Sequence, residues 1–437
     1  MFKTLSNALK VKEIRNGLLF TLFILVVIRL GCLIPVPGLN TQAVKEYLEG
    51  ALGDANSFLS SFTGGSFTQM SIFALNVTPY ITSSIIIQLL TIAIPALEEM
   101  QKDGEDGRKK ITAITRYVTI LLAVIESLGL CIGFDRGNYL TITGVLGYLL
   151  IIITLTTGST FVMWLGEKVT DFGVGNGISI ILLINIVSRM PSDFYDLYLK
   201  FVKGKDIVNT VIAIAIVATV IIVTVALVVL LQDGERRIPV QYAQKVQGRR
   251  MVGGRGSNIP LKVNTSGVIP IIFASSLLSV PAVIVNLFDI KTNTTWAKIM
   301  QGMNSNYWFN KAYPWASIGL VVYILLVFFF AYFYTSVTFN PMEVANNMKK
   351  GGGFIPGIRP GKPTQDYLNK ILNYIVFIGA VGLIIVAIIP IFFNGMFGAN
   401  VSFGGTSLII IVGVIIETIK QIESKMIVRN YSGFLSD

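Results

Sequence analysis

The stretch Ser61–Leu90, SFTGGSFTQMSIFALNVTPYITSSIIIQLL, is apolar enough to enter a bilayer, yet Gly64, Gly65 and Pro79 interrupt it. A glycine inside a helix costs about 1 kcal/mol against alanine and a proline about 3, so a plain lipid-spanning anchor has no use for them. A backbone broken at membrane depth is tolerated only where it is buried in protein or lines a cavity. The stretch therefore reads either as part of a packed channel or carrier, or as a glycine-broken amphipathic helix lying flat outside the membrane. The residues alone leave these two readings equal.

The surrounding chain decides that it is an integral membrane protein. Of 437 residues, 53% are hydrophobic and 14% charged, against about 25% charged in soluble domains. Ten segments are long enough for a hydrocarbon core that takes about 20 helical residues. They lie near 17–35, 72–95, 113–133, 140–165, 174–190, 207–231, 267–288, 315–338, 371–393 and 407–427. The first follows a basic tail and has no small-residue cleavage site, so it reads as a retained span. With the N-terminus inside, the inner segments hold 24 of the 35 lysines and arginines and the outer ones nine, with Arg29 and Arg116 at span ends. The positive-inside rule then places both termini in the cytoplasm. The outer loop 189–206, with Arg189, Lys200, Lys203 and Lys205, runs against that total.

The residues that intramembrane proteolysis and P-loop ATP binding need are missing, so no catalysis is expected. There is no histidine, hence no Ser-His pair and no HExxH zinc site, no span holds a central aspartate, and no P-loop occurs. Cys32 and Cys131 each sit in an apolar run and read as packing residues, so no cofactor or metal is expected. GVGNG at 173–177 follows no strand and reads as a helix start. Glu126 and Glu417 are the candidate coupling carboxylates of a secondary solute transporter, the alternative function.

The remaining classes are transporter, channel and scaffold, and two features bear on them. Val-x-Pro-x-Ile recurs at 77–81 and 268–272, with Ser84 and Ser275 at the same offset from the proline, and NGISII at 176–181 echoes GGTSLI at 404–409. These echoes pair span 2 with span 7 and span 5 with span 10; a shift of five spans reverses direction through the membrane, the pattern of inverted repeats. The hydrophilic excursions 232–262 and 339–370 exceed what topology needs. They read as ordinary positive-inside loops or, more sharply, as docking surfaces for ribosomal RNA or an acidic protein face.

Seven motifs in order give the chain a family likeness. IPVPG (34–38), the opening stretch, GEDGRKKITAITRY (104–117), GVGNGISI (173–180), GVIPIIFASSLL (267–278), FNPMEVANNMKKGGGFIPGIRPG (339–361) and FGGTSLII (403–410) resemble the bacterial SecY family. That family forms the central subunit of the Sec protein-conducting channel. The resemblance implies an all-α membrane protein of ten helices in two inverted five-helix halves around a pore, residues 1–200 with spans 1–5 and 201–437 with spans 6–10. It implies a plug half-helix near 57–72, including Gly64, Gly65, Ser66 and Phe67, that must move without dragging span 2, which explains the break. A constriction ring falls on Val77, Ile81, Ile178, Leu182, Ile272 and Ile410. A lateral gate between spans 2 and 7 would use Ser84, Gln88, Asn176 and Ser275, with Gln88 and Asn176 as buried, hydrogen-bonded amides. Arg249, Arg250 and Arg359 would receive the ribosome or the SecA motor. The other implied partners are SecE, SecG, signal peptides, nascent chains and membrane lipid, in the bacterial plasma membrane. The outer loops, including 189–206, and QDGERR at 232–237 depart from the family pattern.

Overall fold

The computed structural model describes residues 9–51, 63–203, 206–242, 245–247, 250–252, 256–275, 277–278, 302–303, 308–309, 314–397 and 405–432. Its helices are α1 (Lys12–Gly31), α2 (Thr41–Ala51), α3 (Thr78–Ala93), α4 (Pro95–Lys102), α5 (Gly104–Arg136), α6 (Val145–Phe172), α7 (Gly177–Phe201) and α8 (Ile207–Asp233). After a strand-bearing loop and the seventh segment come α9 (Ile318–Thr338), α10 (Pro341–Lys350), α11 (Lys362–Phe397) and α12 (Gly405–Ser432). Nine of the ten expected spans are thus occupied by these helices, and segment 267–288 is helical at 269–275 and 277–278, with 276 and 279–288 lying outside the described residues. Among the described residues seven helices are long and apolar enough to cross a membrane, eight if α3 and α4 count as one bent span. Among the described residues every element of membrane length is an α-helix.

Span 2 is shorter than its apolar run. Asn76 adopts a positive φ of 49° and Val77 caps the helix, with Pro79 in the first turn. Proline is at home there, because the first turn's N–H groups have no partner inside the helix. Pro79 therefore starts the helix. At the other end Ile94 is extended before Pro95, the backbone a proline imposes on its predecessor, and the chain bends by 107° between Thr78–Ala93 and Pro95–Gln101. Sixteen residues rise about 24 Å, less than the core needs, so the turns before Thr78 must supply the remaining depth.

Those turns are largely buried, and most of their polar atoms find partners, Ser71 Oγ and Asn76 Nδ2 being the exceptions. The Ile72 N–H donates to Ile34 O at 2.9 Å and the Val36 N–H to Met70 O at 2.9 Å. The Ser66 hydroxyl lies within hydrogen-bond reach of Thr63 O and Phe73 O, which share its one proton, and the Ser159 hydroxyl of α6 donates to Asn76 O. Gly158, also on α6, lets this backbone approach closely: a Cβ there would collide with the Ile72 carbonyl. Gly158→Ala should lower stability by about 1–3 kcal/mol, read as earlier thermal unfolding in detergent. Gly129→Ala on α5, with nothing within 4 Å of its Cβ position, should be neutral or stabilising.

Packing follows two groups. α3 lies on α5, α5 on α6, α6 on α7 and α1 on α6; α9 lies on α11, and α8 on α11 and α12. The groups meet chiefly where α12 packs on α7. The expected outer loop 189–206 is largely helix, because α7 continues through Pro191 to Phe201 with Arg189 and Asp193 paired one turn apart.

Outside the spans, the two long loops fold together. Strands β1 (Glu235–Tyr242), β4 (Ser257–Lys262) and β5 (Gly353–Phe354) form an antiparallel sheet in the order β4-β1-β5, while β2 (Lys245–Gln247) pairs with β3 (Arg250–Val252). Register couples Ile238 with Ile259 and Gln241 with Phe354. Ile238, Val240 and Leu261 bury against Met348, Ile355 and Leu368. Sequence reading treated these loops as separate docking arms; in the structure they share one small core.

Candidate pore, plug and docking surfaces

The aliphatic residues assigned to the ring come from four parts of the chain, and the structure gathers them into one cluster. Val77, Leu182 and Ile410 are buried within it, and Ile81, Ile178 and Ile272 pack against it. Phe73, Ile181, Ile186 and Val414 belong to the same cluster, as do Ile24, Ile28 and Cys32 of the α1 segment and Val162, Leu165 and Val169 of α6. Val77 and Ile81 are at the start of α3, Ile178 and Leu182 on the first turns of α7, Ile410 on the first turns of α12. Ile272 is in the first helical turn of the seventh segment. Each helix therefore contributes its N-terminal turns, so four helix starts converge on one apolar knot. Before α3, α7 and the seventh segment, the backbone that approaches the knot is non-helical.

Of the plug assignment, residues 57–62 lie outside the described residues, and Thr63–Ile72 is a run of turns. Gly64 and Gly65 adopt positive φ of 65° and 84°. Ser66 ties the run to Phe73, as above. Phe67 is buried in a different cluster, with Val36, Leu39, Met70 and Leu75, so this segment is sandwiched between the IPVPG loop and the knot beneath it.

The gate residues correct one expectation. Gln88 and Asn176 are exposed at the surface of this chain, not buried. Gln88 lies off the face of α3 that carries buried Ser83, Ile87 and Thr91, and Asn176 is used as the N-cap of α7, its side chain accepting from the Ser179 N–H at 3.3 Å. Ser84 is half-buried, and its neighbour Ser83 makes the contact to α5 by a hydrogen bond with Thr119 at 2.5 Å. Ser275 shares a hydrogen bond with Tyr323 of α9. It thus turns partly toward the second group of helices, while Val268 and Ile272 face the knot.

For docking, Arg249 lies outside the described residues and Arg250 begins β3, paired with Gln247. Arg359 is exposed on the turn between buried Ile355 and α11, and its carbonyl accepts from the Thr364 hydroxyl at 2.9 Å. Among the described residues no group of histidine, cysteine and carboxylate side chains is arranged to hold a metal. Glu126 is half-buried on α5 and Glu417 exposed on α12.

Sequence reasoning missed Arg29. It was counted as a span-end charge, yet its guanidinium reaches both the plug segment and α7. The signal was present, since an arginine inside an apolar span is by default a functional residue. It missed Phe73 of this cluster as well, because the side of an all-apolar segment that meets other helices carries no periodic mark.

A helical membrane bundle whose helix starts meet in an apolar knot, capped by a buried run of turns, defines the class of polytopic membrane channels with a closed centre. The model of the SecY family matches residues 71–419. Among curated proteins, the protein translocase subunit SecY of Streptomyces scabiei is 43% identical over 449 residues, covering 100% of both chains. A solved structure, described as showing that the plug domain of the SecY protein stabilises the closed state of the translocation channel and maintains a membrane seal, superposes with a TM-score of 0.61. The two are 19% identical, and the match covers 95% of this chain and 94% of that one. Sec61 in a canine ribosome-channel complex from the endoplasmic reticulum gives the same TM-score, identity and coverage. At such identity these likenesses carry the fold, and the sequence matches carry the family. This chain belongs to the SecY family.

Proposed function

We propose that this chain is the channel-forming subunit of a bacterial protein translocase. It conducts secretory polypeptides across the plasma membrane and releases sufficiently apolar segments sideways into lipid. The observation that carries this reading is the convergence of Val77, Ile81, Ile178, Leu182, Ile272 and Ile410, from four separate helices, in one aliphatic cluster. An aliphatic constriction gates by dewetting, and its side chains can close around any polypeptide without a sequence-specific contact.

In this reading Gly64, Gly65, Ser66 and Phe67 belong to a plug seated over the knot. Span 2, with Ser84 and Gln88, and the seventh segment, with Ser275, are the two walls through which a signal sequence leaves for lipid. Asn176 caps the helix beside them. Residues 1–200 and 201–437 are the two halves. Both termini and the sheet-bearing loops face the cytoplasm, on the strength of the lysine and arginine distribution. Arg249, Arg250 and Arg359 then lie on the side where a ribosome or SecA docks, and SecE and SecG are the small membrane partners. The chain performs no catalysis in this scheme; translation or SecA supplies the energy.

Vesicles holding this protein with SecE, given SecA, ATP and a signal-bearing precursor, should protect the precursor from added protease. Assembled complex that gives no protection would overturn the assignment, and uptake of a small solute by this chain alone would point to a carrier.

A further inference from the structure

Arg29 lies two residues before the end of α1, and its side chain crosses to two other elements. Nη1 donates to Gly64 O at 3.3 Å, while Nη2 donates to Ile184 O at 3.2 Å and to Asn185 Oδ1 at 2.6 Å. All three acceptors are neutral. Among the described residues no carboxylate is paired with this cation, and its Nε is buried without a partner. Asn185 is itself 0% exposed.

A guanidinium held in a membrane bundle by neutral oxygens is expensive to retain. As an anchor between helices alone, an apolar side chain would do better. The arrangement is also asymmetric. Two of the acceptors belong to α7, the helix that carries Ile178 and Leu182 of the knot, and Arg29 itself is on α1. The third, Gly64 O, belongs to the turns over the knot. Gly64 is fitted to this contact: a Cβ there would lie 2.5 Å from Arg29 Nη2 and 3.0 Å from the Asn185 backbone, and its φ of +65° disfavours side chains. The planar fork can bridge two elements at once, which a lysine ammonium does less well.

We propose that Arg29 is the plug latch. Anchored on Ile184 and Asn185 of α7, it holds the turns at Gly64 over the constriction, and breaking the single bond to Gly64 O is a step of opening. Arg29 and α7 stay together as the plug leaves, so the released donor faces the widening funnel, where water can satisfy it. Arg29 is thus a positioning residue acting through the plug, and the proposal rests on the plug reading above.

The test measures resting conductance of the assembled complex in planar bilayers without precursor, for Arg29→Gln, Arg29→Lys, Gly64→Ala, a deletion of Ser57 to Gln69, and Arg29→Gln within that deletion. The deletion spares Met70 and Ile72, which bond to the IPVPG loop. Arg29→Gln and Gly64→Ala should each raise resting conductance by about tenfold, the scale of a lost charge-assisted hydrogen bond, and Arg29→Lys by less. The deletion should raise it more, and adding Arg29→Gln to the deletion should change nothing further, as coupled groups require. If Arg29→Gln does not assemble, Gly64→Ala carries the comparison. A further rise from Arg29→Gln in the deleted channel would make Arg29 a buttress between α1 and α7 and overturn the latch. Wild-type conductance in both point variants, with the deletion leaking, would also overturn it and leave the plug standing. A deletion that does not leak would remove the plug reading, and the latch with it.

Discussion

Asparagine at both Ile81 and Ile272 should turn the resting channel into an ion leak. The two residues sit on different helices and pack against one aliphatic cluster, in which Val77, Leu182 and Ile410 are buried. In the wild type the six ring side chains are all aliphatic and offer water no hydrogen bond, so water gains nothing by entering between them and the passage stays dry. An amide buried there without a partner costs roughly 1–3 kcal/mol, and hydration of the constriction relieves that cost. Two amides acting together should favour the wet state by at least about thirtyfold, at 1.4 kcal/mol for each factor of ten. Single-channel recording of the assembled complex without precursor gives the number. Leucine at the same two positions conserves volume and polarity and should leave the resting current low. If the double asparagine variant assembles and stays silent, the cluster is ordinary core, and the pore runs elsewhere.

The parts of this fold that were legible are those where composition and punctuation suffice. Apolar runs located the spans, and Asn176 before Gly177 announced a helix start that the structure uses as an N-cap. Proline was harder. Pro79 looked like a break in span 2, but in the first turn it is the reason the helix begins there, and Pro191 lies inside a helix that continues to Phe201. The ring residues could be reached only through family likeness, because in an all-apolar helix no hydrophilic face marks the side that meets the other helices. The expectation that Gln88 and Asn176 are buried failed for a related reason: an amide in an apolar run says that something polar is near, not whether it is backbone, lumen or partner.

The sheet was written more plainly than it was read. In ERRIPVQY only Ile238 and Val240 are buried, the alternation of a strand with one covered face. Proline at 239 suits an unpaired N–H position. The charges in these loops drew attention to docking, while the apolar residues that fold the loops together went unremarked. Arg29 was passed over because it was set aside as a span-end charge, when a cation on a span is better asked what it holds.

Arg359 gives the sharpest test of the loop surface, because its surroundings are rigid while its head group is free to serve a partner. Ile355 is buried in the loop core and Ile358 packs against it. Gly357 and Gly361 both adopt positive φ, at 82° and 102°. The Ile358 N–H closes a turn on Ile355 O at 3.0 Å, and the Arg359 carbonyl is held by Thr364. The backbone on both sides is therefore fixed, and the exposed side chain makes no ion pair among the described residues. Substitution should leave folding and membrane insertion intact, since exposed positions away from caps and cores usually move stability by less than about 0.5 kcal/mol. If the charge serves topology alone, lysine is equivalent. If it serves bidentate recognition of a carboxylate or phosphate on a docking partner, lysine keeps the charge but loses the fork. Arg359→Lys should therefore slow SecA-driven translocation by about tenfold, the scale of one charge-assisted hydrogen bond, and Arg359→Glu should nearly abolish it by placing like charges together. Protease protection of a precursor, with complex assembly measured alongside, reads both. Wild-type rates for Arg359→Lys would reduce the site to a simple charge, and wild-type rates for Arg359→Glu would remove it from the docking surface altogether.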